Sequence, residues 1–349
     1  MKRFYFGFIT LVVSVCTLIF YIGGEVAAQN PMPTASELAP GWNLLVPGGD
    51  TLCSQSEPYA FWVRPGDPQK VMVYFQGGGA CWDAGTCEPN MGFYDRLVEG
   101  DEINAYSNGL FNFGNGENPV ADYTSIFVPY CTADFHTGTQ THTYEGEAGE
   151  IHYNGNANTT AVLNWMFANY RAPRQVLVTG CSAGAYGAIY HTPTIARRYS
   201  ASSIVQFGDS ATGQVPALWG GFDVWGSFAR PPRGVSRTSP DRFITATYST
   251  VSRNYPRMRV GQYTTANDGV QQTYFNMMGG GDWRGGMEAS LATLNANRNF
   301  RSYVASGGEH CILQTERFYS ETTEGIRFRD WFTAFLLGDL PASLHSSVE

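Results

Sequence analysis

The amino-acid sequence predicts an α/β fold, with a mostly parallel central sheet and helices on both of its faces. Short, nearly continuous apolar runs recur along the chain, which is typical of strands buried on both sides of a parallel sheet. Helical patterns lie between these runs, as crossover connections require. The 40 glycines among the 349 residues suit an enzyme with many tight loops better than a helical bundle.

Six apolar runs are predicted to be strands, and helices are expected between and after them. The predicted strands cover residues 71–75, 125–130, 175–179, 203–207, 258–264 and 300–305. A helix is expected over residues 158–168, because Val162, Trp165 and Met166 recur at helical spacing. Ser239-Pro240 is a typical helix start, and residues 330–337 are expected to form the last helix.

Two segments depart from this alternation. Residues 1–28 contain a basic start, a long apolar run and small residues at a cleavage site. They predict a secretory signal peptide, with an uncleaved membrane anchor as the alternative. Residues 29–349 are expected to form a single domain. Within it, residues 211–237 carry several aromatic side chains among glycines, and they are predicted either to form a lid or insertion or to pack as a loop onto the core.

The composition narrows the class of protein and the class of partner. With 22 Lys and Arg against 30 Asp and Glu, the formal net charge is −8. An acidic chain without basic runs is a poor candidate for binding nucleic acid or an anionic membrane. Six cysteines remain after residue 28, and an even number in an exported chain favours disulfides. The sequence contains no Cys-x-x-Cys pair of the kind that binds zinc. We expect neither a metal nor a cofactor.

A predicted nucleophile lies in the sequence VTGCSAGAYG, residues 178–187, between a predicted strand and a helix. Gly-x-Ser-x-Gly in this context is the nucleophile elbow of α/β-hydrolase-like folds, in which a strained turn projects the serine hydroxyl. Ser182 is therefore the predicted nucleophile. The amide of Ala183 is expected to face the oxyanion beside the helix N-terminus. The alternative is an ordinary tight turn.

A serine hydroxyl needs a base, and the base needs an orienting acid. In elbow proteins these residues follow in the order Ser, Asp or Glu, His. His310 lies in a Gly-rich loop directly after the last predicted strand, and it is the predicted base. Asp268 follows the preceding strand and is the predicted acid. Asp209, after an earlier strand, is its rival, and Asp282 is a third choice.

Consecutive glycines after the strand at residues 71–75 predict the second half of an oxyanion hole. Gly78 and Gly79 are the expected amide donors, and a flexible turn is the alternative. Three tryptophans are expected to contact the substrate. They are Trp82, Trp219 and Trp225.

The cysteines flank the predicted catalytic residues. The expected disulfides are Cys181–Cys311, Cys81–Cys87 and Cys53–Cys131. The first pair adjoins the predicted nucleophile and base, which would be close enough in space for their neighbours to pair. Buried free thiols are the alternative. The second pair flanks a short loop, and the third follows by elimination.

Four motifs together resemble the pectin acetylesterase family, which includes Notum. They are FQGGGACW at 75–82, PYCTADFHTG at 129–138, GCSAG at 180–184 and DGVQ at 268–271. The resemblance covers residues 40–340. It implies an α/β-hydrolase fold, extracellular hydrolysis of carboxylic esters, and a triad formed by Ser182, Asp268 and His310. The cysteines beside the serine and the histidine are also similar to the Cys-Ser…Asp…His-Cys pattern of tannases and fungal-type feruloyl esterases.

We therefore expect an exported serine esterase, and the resemblance favours a small acyl group such as acetyl on a carbohydrate. A polyester or an aromatic or long-acyl ester is the second hypothesis. A non-catalytic cell-surface binding protein on a hydrolase scaffold is the third, and the intact triad and glycine loop argue against it. No nucleic acid is expected as a partner, nor a membrane once the signal peptide is removed.

Overall fold

A nine-stranded sheet forms the centre of the protein, in a computed structural model that describes residues 32–235 and 237–346. In spatial order its strands are β1 (Asn43–Leu45), β2 (Phe61–Arg64), β4 (Tyr123–Val128), β3 (Asp67–Phe75), β7 (Gln175–Cys181), β8 (Ser203–Asp209), β9 (Arg259–Thr265), β10 (Phe300–Ala305) and β13 (Leu344–His345). Neighbours from β4 to β13 are parallel, and β2 is antiparallel to both β1 and β4. The predicted mostly parallel α/β sheet is confirmed. The signal-peptide prediction lies outside the described residues.

Helices connect the strands, and two small antiparallel pairs lie outside the main sheet. The helices are α1 (Ala84–Cys87), α2 (Gly155–Asn169), α3 (Ala183–Arg198), α4 (Gly221–Val224), α5 (Pro240–Asn254), α6 (Gly269–Met277), α7 (Trp283–Asn295), α8 (Arg317–Ser320) and α9 (Phe328–Leu337). Single 3₁₀ turns lie at Ala35–Glu37, Pro89–Met91, Glu102–Ala105, Gly109–Phe111, Gly146–Ala148 and Ser227–Ala229. The small pairs are β5 (Gln140–Thr143) with β6 (Glu150–Tyr153), and β11 (Thr322–Thr323) with β12 (Ile326–Arg327).

Two hydrophobic cores cover the two faces of the sheet. Along β3, Val71 and Val73 belong to one core, while Met72 and Tyr74 belong to the other. This alternation follows from the period of two along a strand. The first core includes residues of α2, α3, α5 and α7, and the second is dominated by the aromatic side chains of α9. Both faces are buried, which explains why the parallel strands read as continuous apolar runs.

All six predicted strands are present, with bounds that differ by a few residues. β4 ends at Val128 rather than at residue 130, because Pro129 has no amide to continue the ladder. The helix expected over residues 158–168 begins three residues earlier, and the last helix begins at Phe328. The edge strands β1 and β13, the neighbouring strand β2 and the helices α6 and α7 were not predicted. Glycines at positions 279–281 and 285–286 make the region of α7 read as a loop.

The aromatic side chains of the segment that begins at residue 211 pack onto the core. Phe222 and Trp225 are fully buried, and Trp219 is 5% exposed. The Trp225 ring contacts that of Phe135, and its Nε1 donates to the carbonyl of Cys81 at 2.7 Å. Gln214 and Val215 of the same segment line a cavity beside Ser182, so the prediction of a lid or insertion stays a prediction.

Candidate active site

Ser182 lies at the turn between β7 and α3, in a backbone conformation that non-glycine residues rarely adopt. Its φ and ψ are 55° and −127°, and conformations of this kind cost about 1–3 kcal/mol and cluster at functional sites. The turn is tight, because Cβ atoms built on Gly180 and Gly184 would lie 2.5 and 2.1 Å from the carbonyl oxygen of Phe75. Glycine at both positions therefore lets β3, β7 and α3 meet beside the serine.

Two buried histidines hold the glycine loop that follows β3. His136 Nε2 lies 2.9 Å from the carbonyl oxygen of Gln76, and His191 Nε2 lies 2.8 Å from the carbonyl oxygen of His136. Because a carbonyl only accepts, each ring must donate. Burial lowers the pKa of His136 to about 3 and the pKa of His191 to about 4, so both rings are neutral. They tie the glycine loop to helix α3 and take no part in proton transfer.

Three backbone amides face a ligand-accessible site. Within the described residues, the amides of Gly78 and Gly79 donate to no protein acceptor. Ala183 is the first residue of α3, so its amide has no intrahelical acceptor. Gly79 has a φ of 73°, which turns the loop at this point. These amides are therefore free to donate to a ligand.

Asp268 and His310 form a buried pair at the ends of β9 and β10. His310 Nδ1 lies 2.9 Å from each carboxylate oxygen of Asp268, which is fully buried. Gln271 donates to Asp268 through its backbone amide and its side chain, at 2.9 Å in both cases. The side-chain oxygen of Gln271 in turn accepts from the amide of Thr212 at 2.9 Å. The motif DGVQ therefore caps α6 and fixes the orientation of the carboxylate that holds the imidazole.

Asp209, the rival acid, lies elsewhere and has other partners. Its Oδ2 accepts the amide hydrogens of Ile312 and Leu313, both at 2.8 Å. Its carbonyl oxygen accepts the amide hydrogen of Ser182 at 2.8 Å. Burial raises the pKa of Asp209 to about 6. Asp209 thus links the elbow to the histidine loop and is not hydrogen-bonded to the imidazole. The third choice, Asp282, is an exposed cap of α7.

Three disulfides are present, and they join the pairs named from the sequence. They are Cys53–Cys131, Cys81–Cys87 and Cys181–Cys311. The last spans 130 residues with its Cα atoms 5.8 Å apart, and it connects the nucleophile turn to the histidine loop. Ser210 Oγ reinforces this junction by accepting the amide hydrogen of Cys311 at 2.8 Å. The loop that carries His310 is therefore held covalently and by hydrogen bonds against the turn that carries Ser182.

Ser182 and His310 line the same two adjoining cavities without a hydrogen bond between them. Ser182 is partly exposed. His310 Nε2 is buried and has no hydrogen-bond partner among the described residues. Catalytic hydrogen bonds are often long or unaligned without substrate and tighten only in the complex. The imidazole thus lines the same cavities as the serine, and its Nε2 is buried and unpaired among the described residues.

One cavity beside the serine is small and largely apolar. Its volume is about 40 Å³, far below the range of about 300 Å³ and more that holds drug-sized ligands. Its wall comes mainly from α6, the start of α3 and the loop after β8, and the loop after β4 and helix α7 add one residue each. The apolar and aromatic wall residues are Phe135, Tyr186, Val215, Val270, Tyr274, Phe275, Met278 and Trp283. Such a cavity suits a short apolar group.

A second cavity lies on the other side of the serine and is larger and more polar. Its volume is about 310 Å³. Amide, carboxylate and phenol side chains line it. They belong to Gln76, Asp95, Tyr106, Tyr274 and Gln314. The two cavities share Gly79, Ser182 and His310, so the hydroxyl lies where they join.

The predicted site residues differ in where the structure places them. Ser182, Asp268, His310, Gly78 and Gly79 come together. Trp82, Trp219 and Trp225 line neither cavity beside the serine. The tryptophans contact one another instead, because the segment that carries two of them is packed into the core.

The part of the cavity wall that α6 and α7 form was not predicted from the sequence. The signal available was the spacing of Val270, Tyr274 and Met278 after a capping aspartate, which is helical.

The described residues contain one group whose atoms are spaced to hold a metal ion, namely Cys181, His310 and Cys311, with ligand atoms within 4.8 Å of one another. The two cysteines are joined in a disulfide, so this group offers no thiolate. Over the same residues, no helix is long and apolar enough to cross a membrane.

Comparisons relate this chain to known carboxylesterases. Residues 48–211 match the family model for pectinacetylesterase. Over 154 residues the chain is 23% identical to the palmitoleoyl-protein carboxylesterase NOTUM of Schmidtea mediterranea. That match covers 42% of this chain but only 28% of the relative.

Solved structures give a longer match. Two crystal structures of the Wnt deacylase Notum from Drosophila align with TM-scores of 0.63 at 14% and 15% sequence identity. The alignments cover 87% of this chain and 94% and 95% of those chains. At this level of identity the likeness establishes the α/β-hydrolase-like fold alone. The evidence for a reaction lies in the residues of the site.

Proposed function

This chain is related to the pectin acetylesterase and Notum family of carboxylesterases, and from that premise we propose that it is a serine esterase that removes small acyl groups from carbohydrate. One observation carries the proposal. The Asp268–His310 pair is fixed against the Ser182 turn, and the imidazole, whose buried Nε2 has no partner among the described residues, lines the same cavity as the serine. A non-catalytic binding protein has no need of this arrangement.

Ser182 acts as the nucleophile in this mechanism. Its Oγ attacks the ester carbonyl while His310 Nε2 accepts the hydroxyl proton, and the same nitrogen returns that proton to the departing alcohol. A rotation of the serine side chain on binding brings the hydroxyl and the imidazole into hydrogen-bonding distance. Water then repeats the sequence on the acyl-enzyme and releases the acid, so acyl transfer is balanced without a further reactant.

Asp268 has an orienting role. Its contact with Nδ1 keeps the proton on that nitrogen, so Nε2 is free to act as a base, and its charge stabilises the imidazolium that forms. Because Asp268 is fully buried, this stabilisation is little screened by water. Gln271 holds the carboxylate in position from the first turn of α6.

The amides of Gly78, Gly79 and Ala183 are the proposed oxyanion donors. They belong to two different segments that meet at the serine, which is the arrangement expected of an elbow and the loop after an early strand. Such donors act on the charge that develops in the tetrahedral intermediate, and loss of one donor typically costs about 10²–10³ in rate.

The size of the apolar cavity supports a short acyl group. A volume of about 40 Å³ holds a group such as acetyl and excludes a long chain in this conformation. We assign the acyl group to this cavity and the alcohol to the larger polar one. Three disulfides in the described residues support export to an oxidising compartment.

The test is an ester series with purified protein. Rates with 4-nitrophenyl esters should fall steeply beyond the shortest acyl chains, and acetyl should be released from acetylated xylan or pectin. Ser182→Ala, as the matched control, should abolish both activities. Good turnover of long-acyl or feruloyl esters, with no acetyl released from either polymer, would overturn the acyl assignment in favour of the aromatic or polyester hypothesis.

A further inference from the structure

We propose that Asp95 selects the alcohol half of the substrate, so that esters of neutral sugars are hydrolysed in preference to esters of uronic-acid polymers. This assignment rests on the proposed esterase function and identifies a specificity-determining residue within it. Three observations support it: the position of one carboxylate, the lining of the polar cavity, and the charges around that cavity.

Asp95 is attached directly to the oxyanion loop. Its backbone amide donates to the carbonyl of Gly78 at 2.9 Å. A Cβ atom built on Gly78 would lie 2.5 Å from Asp95 Oδ2, so the carboxylate rests against this glycine. The residue is exposed, and its side chain makes no hydrogen bond or ion pair within the described residues. An unpaired anionic group therefore stands at the edge of the proposed oxyanion hole.

A negative charge in this position destabilises the oxyanion that forms when the ester carbonyl is attacked. The oxyanion is itself negative, and like charges a few ångströms apart repel one another. A carboxylate that has no partner and lies where a negative charge is unfavourable is expected to serve function and not stability. Because Asp95 is not needed to hold another side chain, its function is best sought in the alcohol, on the polar side of Ser182.

The polar cavity is built for an alcohol with several hydroxyl groups. Besides Asp95, it presents the amides of Gln76 and Gln314 and the phenols of Tyr106 and Tyr274. These groups donate and accept hydrogen bonds, and the rings offer apolar faces. A sugar hydroxyl that donates to an ionised carboxylate forms a charge-assisted hydrogen bond, which is about twice as strong as a neutral one.

The charges around this cavity are one-sided. Among the described residues, no lysine or arginine lines either cavity beside the serine. Glu99 and Glu102 join Asp95 in the adjoining recess, where Arg96 donates to Gln55 at 3.1 Å. The whole chain carries a formal net charge of −8. A sugar ring with its own carboxylate would meet three carboxylates and a single cation, Arg96, around this cavity, so repulsion prevails.

The experiment compares two acetylated oligosaccharides matched in length and acetyl content, one a neutral xylo-oligosaccharide and the other an oligogalacturonate. At pH 8 and low salt, kcat/KM should favour the neutral substrate by about tenfold or more. Sodium chloride at 0.5 M should reduce this ratio, because it screens repulsion between exposed charges. Asp95→Asn should reduce the ratio by a similar factor, with KM raised for the neutral substrate and lowered for the acidic one.

Asp122→Asn is the matched control. It removes the same charge from an exposed residue that pairs with Lys70 at 2.6 Å. Asp122 directly precedes β4, at the amino ends of the parallel strands, whereas Ser182 follows the carboxyl end of β7. If Asp95 acts through direct contact, this control should change the substrate ratio less than about twofold. An equal shift with both variants would show that only net charge matters and would overturn the assignment of Asp95.

The proposed function and this assignment fail in different ways. If Ser182-dependent hydrolysis of 4-nitrophenyl acetate is present and the wild-type protein uses both oligosaccharides equally, the esterase stands and the role of Asp95 is wrong. A preference that is insensitive to both salt and Asp95→Asn also overturns the role. Absence of any Ser182-dependent hydrolysis overturns both.

Discussion

His310 Nδ1 lies 2.9 Å from each carboxylate oxygen of Asp268, with no other acid hydrogen-bonded to the ring within the described residues. Asp268→Asn should therefore remove the charge that stabilises the imidazolium and disturb the tautomer, and kcat should fall by about 10³–10⁴-fold. Steady-state kinetics on 4-nitrophenyl acetate measures this, and thermal unfolding should shift little, since the asparagine can keep the α6 cap.

Ser182→Ala is the reference for that experiment. It should abolish turnover and leave thermal stability nearly unchanged, because the Ser182 side chain makes no hydrogen bond in the described structure. Labelling with a fluorophosphonate probe should modify the wild-type protein and not this variant. Full activity of Asp268→Asn would show that another acid orients the base.

Asp209 should act on stability and on the position of the histidine loop. Asp209→Ala leaves the buried amides of Ile312 and Leu313 without their acceptor. Each unsatisfied buried group costs about 1–3 kcal/mol, so for two amides we expect a total loss of about 2–6 kcal/mol of unfolding free energy. Denaturant unfolding measures this loss, and kcat should fall as well, because the loop carries the base.

Asp209→Asn separates this role from that of a triad acid. An asparagine oxygen can accept both amide hydrogens, so stability and kcat should stay much closer to those of the wild-type protein. If Asp209→Asn were as inactive as Asp268→Asn while remaining folded, Asp209 and not Asp268 would be the acid that matters.

The central fold could be predicted because its strands are buried on both faces. Continuous apolar runs such as residues 71–75 and 300–305 carry that signal in the sequence itself. The edge strand β1 has only three residues, with one buried, so its pairing with β2 comes from tertiary context. Helix α7 contains Gly285 and Gly286, whose low helix propensity hides it.

The chemistry of the candidate site could be predicted better than its walls. The elbow, the histidine loop and the acid each follow a strand in an order that the fold imposes. The cavity wall depends on how α6 and α7 pack beside the serine, and no local pattern contains that information. The tryptophans illustrate the same limit, since Trp225 looks available in the sequence and is fully buried.

Loss of the Cys181–Cys311 disulfide should lower activity as well as stability. Replacing both cysteines by alanine removes a link across 130 residues, which in the chain-entropy account costs about 3–5 kcal/mol. It also frees the loop that carries His310, and a misplacement of about 1 Å can cost on the order of 10²-fold in rate. We expect kcat to fall by about 10- to 100-fold in protein that is still folded, as measured by kinetics and circular dichroism together.

The Cys81–Cys87 pair is the control, because it closes a separation of only six residues and does not hold the base. Its double alanine variant should lose about 2 kcal/mol of stability and retain activity within a few-fold. With increasing reductant, the wild-type protein should lose activity before it unfolds. A rate that is unaffected by reduction of Cys181–Cys311 would contradict this account of the disulfide.

Glu102 should make the stability of the protein depend on pH. Burial raises the pKa of Glu102 to about 7, against an ordinary value of 4.5, although Gln76 donates to its Oε1. A carboxyl with a raised pKa favours the folded state when protonated. Its contribution is therefore complete below pH 4.5 and is lost as pH rises through about 7. Glu102→Gln keeps an acceptor for Gln76 and cannot ionise, so it should stabilise the protein at pH 8.5 by about 2 kcal/mol.

The pH profile distinguishes ionisation from packing. Near pH 5 the carboxyl of the folded wild-type protein is mostly protonated, so the difference in stability between variant and wild type should be much smaller there than at pH 8.5. Burial also raises the pKa of Asp134 to about 7 and that of Asp209 to about 6. Both groups are present in the two proteins, so their titration cancels in the difference. Urea unfolding at pH 5 and pH 8.5 measures the difference in unfolding free energy between the variant and the wild-type protein. An equal difference at both pH values would mean that the amide acts through packing and that Glu102 is not the titrating group.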